Sequence, residues 1–351
     1  MKTVCVDASA PDFSERVKEL GQILREGGLV AFPTETVYGL GGNALSAESA
    51  RKIYAAKGRP SDNPLIVHVA DIAQARPLVQ SFSPLEEKLM ETFWPGPLTL
   101  VCAKSDVIPA ATSGGLATVA IRSPAHPATQ ALLRAAGVPI AGPSANLSGK
   151  PSPTTAADVL ADLSGRIDAV IDGGPCEIGL ESTIVSCADG AITLYRPGAV
   201  TREMLEAFAP VSVDPALLEK ADAAAPPKAP GMKYRHYAPK APMTVYAGDA
   251  ETVESILVSL AIEKRNIGFF VSEETAARMP EGACVFVWGR RGDDATMARR
   301  LFAGLHYFDH VPVEAIYGEG TGMTGIGFAI MNRLTKATGY HIIMKNTETD
   351  D

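Results

Sequence analysis

The sequence predicts a mixed α/β protein built in two parts, and three observations lead there. Apolar runs of strand length alternate with stretches whose apolar residues recur at helical spacing. Two or three strands follow one another directly near residues 170–196, so the first sheet is expected to be partly antiparallel rather than cleanly doubly wound. A proline- and alanine-rich stretch, "ADAAAPPKAP", then precedes a second strand–helix series over about residues 243–347, read as a small three-layer α/β domain. The length of 351 residues also favours two domains over one.

The elements follow in order. "SERVKELGQILRE" places Val17, Leu20, Ile23 and Leu24 on one helical face. "GGLVAFP" reads as a buried strand ending at Pro33. "SAESARKIYAAK" is a helix with Ser46 as N-cap and Gly58 just past its end. "PLIVHVA" is a strand, and "SPLEEKLMETF" is a helix that stops before Pro95. "LTLVCAK" and "ATVAIR" are strands, "HPATQALLRAAG" a helix, "PIAG" a short strand and "TAADVLADLSG" a helix. "DAVIDGG", "STIVSCA" and "AITLYR" complete the first part as strands. Beyond the linker come "MTVYAG", a helix over 250–264, "NIGFFV", "ACVFVWG", a helix over 293–307, "AIYGEG" and the helical "IGFAIMNRLTKA".

Composition narrows the function classes. The N-terminus has no apolar core of a secretory signal, and no run approaches the ~18 apolar residues of a spanning helix. The five cysteines are scattered without a CxxC, which predicts neither a zinc site nor a disulfide framework. The expectation is a reduced, cytoplasmic protein with no membrane contact. A net charge of −8 speaks against a surface built to grip long RNA, whereas a small anionic ligand needs only a few placed cations.

Several motifs carry possible chemistry. No GxxxxGK[ST] occurs. Gly320, Gly322 and Gly325 in "GEGTGMTGIG" match GxGxxG, but only 26 residues follow, so they are read as a turn before the last helix. In "AAKGRPSDNPLIVHV", Gly58 and Pro60 break the helix between and after Lys57 and Arg59, letting both cations point into one space beyond its end. Ser61 and Asn63 add polar donors and His68 follows on the next strand; a solvated helix terminus is the plainer alternative. "AGPSANLSGKPSPT" gathers Ser144, Asn146, Ser148 and Ser152 among small residues, a phosphate or ribose cradle or else a surface loop. "FPTETVYGLGGN" brings Thr34, Glu35 and Thr36 to a pocket mouth or a strand-to-loop transition. Arg122 ends "TVAIR" where a carboxylate clamp or a surface ion pair would stand; Ser182 and Thr183 open "STIV", and Arg196 closes "AITLYR". His126, His306, His310 and His341 are read as surface or core histidines, with no HExxH or similar spacing for a metal. Finally, "APGMKYRHYAP" packs Lys233, Tyr234, Arg235, His236 and Tyr237 into what should be a bland spacer.

Taken together these segments resemble the threonylcarbamoyl-AMP synthase family in its longer two-domain form. "FPTETVYGLG", the K-x-R of Lys57–Arg59 with "NPLIVHV", the S-x-N of Ser144–Asn146, and "ESTIV" carry the resemblance, and "PGMKYRHYAP" and "GIGFAIMNR" point to the long form. It implies a YrdC-like twisted sheet around a concave cavity over residues 1–210. A linker and active-site lid over 211–242 and a small Rossmann-like domain over 243–351 would follow. The reaction implied joins L-threonine, bicarbonate and ATP into L-threonylcarbamoyl-AMP and pyrophosphate; a transferase complex then uses the product on the adenosine beside the anticodon of tRNA. By resemblance, Lys57, Arg59, Asn63, Ser144, Asn146, Ser152, Arg196 and Tyr237 hold ATP, with Lys57 and Arg59 as the catalytic cations. Thr36, His68, Arg122 and Ser182 hold threonine. Lys233, Tyr234, Arg235, His236 and Tyr237 form the lid. Mg2+ is expected to arrive with ATP, not in an all-protein cage. Two other readings compete: a module binding double-stranded or ribosomal RNA without chemistry, with a tRNA contact as its milder form, and a carbamoyl-adenylate module of hydrogenase maturation. The absence of CxxC weighs against the last.

Overall fold

The computed structural model describes residues 2–217, 229 and 237–345. Lys233, Tyr234, Arg235 and His236 lie outside the described residues. Two compact units divide the chain; the second follows the linker and also takes in Gly149–Pro151.

The first unit holds strands β1 (Val4–Asp7), β2 (Val30–Phe32), β3 (Gly39–Asn43), β4 (Ile66–His68), β5 (Leu98–Ala103), β6 (Thr118–Arg122), β7 (Ile140–Ala141), β8 (Ala169–Asp172), β9 (Thr183–Ala188), β10 (Ala191–Arg196) and β11 (Val211–Val213). They join in the order β1-β8-β2-β3-β7-β4-β6-β5-β9-β10-β11. Parallel and antiparallel neighbours occur in equal number, so the sheet is mixed as the sequence predicts. β3 was expected as a loop mouth. It is a strand in which Gly39 and Gly41 make room for Phe32: a Cβ on Gly39 would stand 2.7 Å from the Phe32 ring and one on Gly41 2.9 Å. β11 pairs with β10 and carries the sheet past residue 210.

Eight helices of this unit are α1 (Phe13–Arg25), α2 (Ala47–Lys57), α3 (Ile72–Ala75), α4 (Pro84–Phe93), α5 (Ala110–Ser113), α6 (Pro127–Ala136), α7 (Ala156–Leu163) and α8 (Arg202–Glu206). Local chemistry sets their ends. Ser46 accepts the Ser49 N–H to cap α2, and Gly58 closes it at φ +62°. Ser83 with Glu86, and Thr155 with Asp158, form capping boxes on α4 and α7. α1 lays Val17, Leu20 and Leu24 against Leu132, Leu133 and Ala136 of α6 and the β2–β8 face. Each such buried leucine contributes about 1.5–3 kcal/mol relative to exposure.

The second unit has β12 (Met243–Gly248), β13 (Ile267–Val271), β14 (Cys284–Val287), β15 (Ala315–Glu319) and β16 (Ile342–Lys345). Its helices are α9 (Ala250–Glu263), α10 (Glu273–Ala276), α11 (Asp294–His310) and α12 (Gly325–Ala337). All strand pairs are parallel, in the order β14-β13-β15-β12-β16. The α/β expectation holds; β15 lies between β13 and β12, where a 3-2-1-4-5 dinucleotide order would set the first two strands side by side.

Candidate active site

The site residues of the first unit come from the central strands of the mixed sheet, with His68 and Arg122 at the ends of β4 and β6 and the Ser144 loop leaving β7 beside Ile66. β4 and β6 run parallel with His68 in register opposite Arg122, so both residues stand at the same end of two neighbouring central strands. β5 and β9 run the other way relative to β6 and begin there, which brings Gly96 and Ser182 beside them.

Arg122 is buried, and its partners are specific. Nη2 donates to Glu35 Oε1 at 2.6 Å, Nη1 to Thr36 Oγ1 at 2.8 Å and Nε to the Gly96 carbonyl at 3.1 Å. The plainer alternative of a surface ion pair does not hold: the Arg122–Glu35 pair is buried. Glu35 spends its other oxygen on the Ala125 N–H at 3.0 Å, which fixes the carboxylate. Of the five guanidinium N–H groups, one on each Nη has no partner among the described residues. Thr36 also shares a 2.7 Å hydrogen bond with Thr34.

His68 is buried, with the Phe32 ring edge-on at 5.3 Å. Burial, and then the Arg122 charge, push its pKa down to about 3, so the imidazole is neutral. Its Nδ1 has no hydrogen-bond partner among the described residues. A buried ring nitrogen without a partner beside an arginine with two open donors is a place for a small zwitterion or its hydroxyl.

A second group forms where α2 ends. Lys57 is buried, and its ammonium donates to the carbonyl oxygens of Ser144 and Asn146. Burial drives its pKa well below the ordinary lysine value, Arg59 adds to this, and Asp162 opposes it. The Ser144 segment is placed by backbone pairing: Leu40 donates to the Pro143 carbonyl and Ala145 to that of Tyr38, each at 2.8 Å. The sequence expected Lys57 and Arg59 to share one space. Gly58 instead turns the chain so that Arg59 folds onto the Asn63 and Pro64 carbonyls, half-buried, while Lys57 points at the S-x-N loop. Asn63 is buried, and its Oδ1 lacks a partner among the described residues. Ser144 Oγ donates to Asn146 Oδ1 at 2.5 Å.

A third group adjoins the Arg122 network. Ser152 Oγ donates to Glu181 at 2.6 Å. Arg196 donates through Nε to the Ser182 carbonyl and through Nη2 to Ser182 Oγ, and Thr99 bonds the same hydroxyl at 2.7 Å. Thr183 N–H bonds the Pro97 carbonyl, and Ile178 N–H that of Glu35, tying this loop to the Arg122 network. Sequence reasoning gave no role to Glu35, Glu181 or Thr99. The one available signal was a carboxylate inside an otherwise apolar or hydroxyl-rich stretch, as in "TETV" and "LEST".

Tyr237 belongs to the second unit, where its buried ring packs on Phe302 at 5.1 Å with φ +64°. The other four lid residues expected from the sequence lie outside the described residues. Among the described residues, no helix is long and apolar enough to cross a membrane.

Residues 22–198 match the Sua5/YciO/YrdC family model, described as telomere recombination. Residues 200–339 match the model described as threonylcarbamoyl-AMP synthase, C-terminal domain. A threonylcarbamoyl-AMP synthase of Bacillus subtilis is 47% identical over 93% of this chain and 94% of its own. This chain belongs to the threonylcarbamoyl-AMP synthase family. A member from Pyrococcus abyssi is 44% identical over 93% of this chain and 95% of its own. The solved structure of P. abyssi Sua5 complexed with L-threonine matches with a TM-score of 0.90 at 41% identity, covering 98% of this chain and 100% of that one. As a threonylcarbamoyl-AMP synthase, the protein is an enzyme of tRNA modification, and its fold is the mixed YrdC-like sheet followed by the family's C-terminal domain.

Proposed function

We propose that the enzyme works as a nucleotidyltransferase in two linked steps at this site. Bicarbonate takes up a proton and loses water to give CO2; the threonine amine attacks the CO2 carbon, releases a proton and becomes a carbamate. A carbamate oxygen then attacks the α-phosphorus of ATP, the bond to the β-phosphate breaks, and pyrophosphate leaves. Such an in-line displacement needs positioning and charge neutralisation more than a covalent nucleophile, which fits a site of cations, hydroxyls and amides.

The observation that carries this reading is the in-register pairing of neutral His68 with Arg122. Arg122 offers its two open N–H groups to the threonine carboxylate, held in aim by Glu35, Thr36 and Gly96. The partnerless Nδ1 of His68 faces the threonine hydroxyl, and Ser182 completes that subsite. Lys57, Arg59, Asn63, Ser144, Asn146, Ser152 and Arg196 take the nucleotide. Lys57 leaves its two carbonyl partners for phosphate oxygens, a better match for an ammonium once the charged ligand arrives. Mg2+ comes with ATP: the donor set suits phosphate oxygens, and the ion neutralises their charge. The product passes to a threonylcarbamoyl-transferase complex, and the setting is cytoplasmic.

The test is an end-point assay on the purified chain with ATP, Mg2+, bicarbonate and L-threonine, omitting each in turn. The expected result is pyrophosphate that requires both threonine and bicarbonate, together with the threonylcarbamoyl-AMP mass. Pyrophosphate independent of threonine, or salt-sensitive binding of double-stranded RNA with no product, overturns the proposal.

A further inference from the structure

The second unit contains a cleft that the threonylcarbamoyl-AMP chemistry does not use. Its position follows from the strand order. From β12 the chain passes through α9 to β13, toward one edge of the sheet; from its neighbour β15 it passes through α12 to β16, toward the other. Right-handed crossovers therefore set α9 and α12 on opposite faces. The gap outside the carboxyl ends of β12 and β15 is the sheet's topological switch point, the position where open α/β sheets bind ligands.

The gap is a cleft of about 420 Å³, within the roughly 300–1,000 Å³ usual for small-molecule sites. Its apolar wall is rich in methionine: Met297, Met323, Met331 and Met344 all line it. Methionine adapts to a flat ring and packs well against aromatic faces. Its polar wall has two charged side chains. Glu319 is 4% exposed, its oxygens taken by the Ser272 N–H and the Thr275 hydroxyl. Arg291 is 35% exposed. It spends Nη2 on Glu254 and Thr275, while Nε and Nη1 have no partner among the described residues. Nη2 also stands 3.9 Å from Glu319, so the guanidinium is paired with two carboxylates, and what it offers an incoming ligand is the Nε and Nη1 donors.

The glycine-rich turn read from the sequence as a mere connection forms the third wall. Gly320 is required by packing, since a Cβ there would stand 2.8 Å from Ala247 and 3.0 Å from Met331. Gly322 is different: nothing lies within 4 Å of its Cβ position, and it lines the cleft. The shortness of the chain beyond this turn had argued against a nucleotide. That objection fails because the other half of the crevice comes from β12, which precedes the turn.

We propose that this cleft binds a nucleoside phosphate, with the phosphate at Arg291 and the glycine turn and the base among the methionines. The test titrates AMP into the full-length protein by equilibrium dialysis and counts bound molecules per chain. Gly322→Glu and Met323→Glu each place a carboxylate at the cleft, the second from a rim position that is 56% exposed. Two AMP per chain are expected in the unaltered protein, one in the catalytic site and one here. Both variants should fall to one, with threonine-dependent pyrophosphate release unchanged. A count that does not fall by one in either soluble variant overturns the proposal. So does a second site that inorganic phosphate fills as well as AMP, since the methionine wall would then contribute nothing. Because turnover is read separately, failure here leaves the synthase reading standing; failure of that reading lowers the starting count but not the loss of one AMP in both variants.

Discussion

His68 shows how a single residue can be neutral by construction. An imidazole titrates near 6.5 in an unfolded chain, but burial and the Arg122 charge bring it to about 3 in the fold. The folded-state value is depressed, so the unfolded chain binds the extra proton between those limits. Stability is then full above about pH 6.5 and falls as the pH drops toward 3, by up to about 1.4 kcal/mol per pH unit for this one group. Urea unfolding from pH 7.5 to pH 4 should show that decline, and His68→Asn should flatten it. An identical slope in the variant would mean that other groups govern acid sensitivity. The candidate positions themselves were readable in the sequence because cations, hydroxyls and amides recur at strand ends and helix stops. Their partners were not. That Glu35 would clamp Arg122 depends on β6 ending beneath the Thr34–Thr36 turn, a contact across 87 residues of sequence. The divergence of Lys57 from Arg59 depends on the left-handed turn at Gly58.

Most elements were legible because each has an apolar period and a chemical stop: Ser46 and Gly58 for α2, Ser83 and Pro95 around α4. β3 was not, since "GLGGN" has almost no side chains from which to read a period. Gly39 and Gly41 let Phe32 lie against the strand, a reason visible only in three dimensions. The same logic applies to Gly21 in the middle of α1. Helix propensity alone says that Gly21→Ala should stabilise by about 1 kcal/mol. Packing says the opposite, because a Cβ there would stand 2.7 Å from the Ala135 carbonyl carbon of α6. Backbone cannot yield as a side-chain tip can, and overpacking of this kind costs about 1–3 kcal/mol. Packing should prevail, and the denaturation midpoint of Gly21→Ala should fall at unchanged m-value. A rise would show that α1 and α6 separate at little cost.

At the scale of the whole molecule, the division into two units was legible from the linker composition and the return of strand–helix alternation. The strand order of the second unit was not, since nothing local tells β15 to insert between β13 and β12. Net charge is the molecular property with the most direct functional consequence. Acidic residues number 40 against 32 lysines and arginines. The cations that the site does use are largely engaged inside the protein, Arg122 with Glu35 and Arg196 with Ser182. A chain that neutralised six to ten phosphates of a duplex would lose about 10³–10⁵ in affinity between 50 and 200 mM salt. This protein has no comparable excess of positive charge to offer. Filter binding of a 20-base-pair RNA duplex should therefore be weak at 50 mM salt and change little by 200 mM. Tight binding with a steep salt slope would require a concentrated basic face, and would reopen the RNA-binding alternative on the strength of that surface alone.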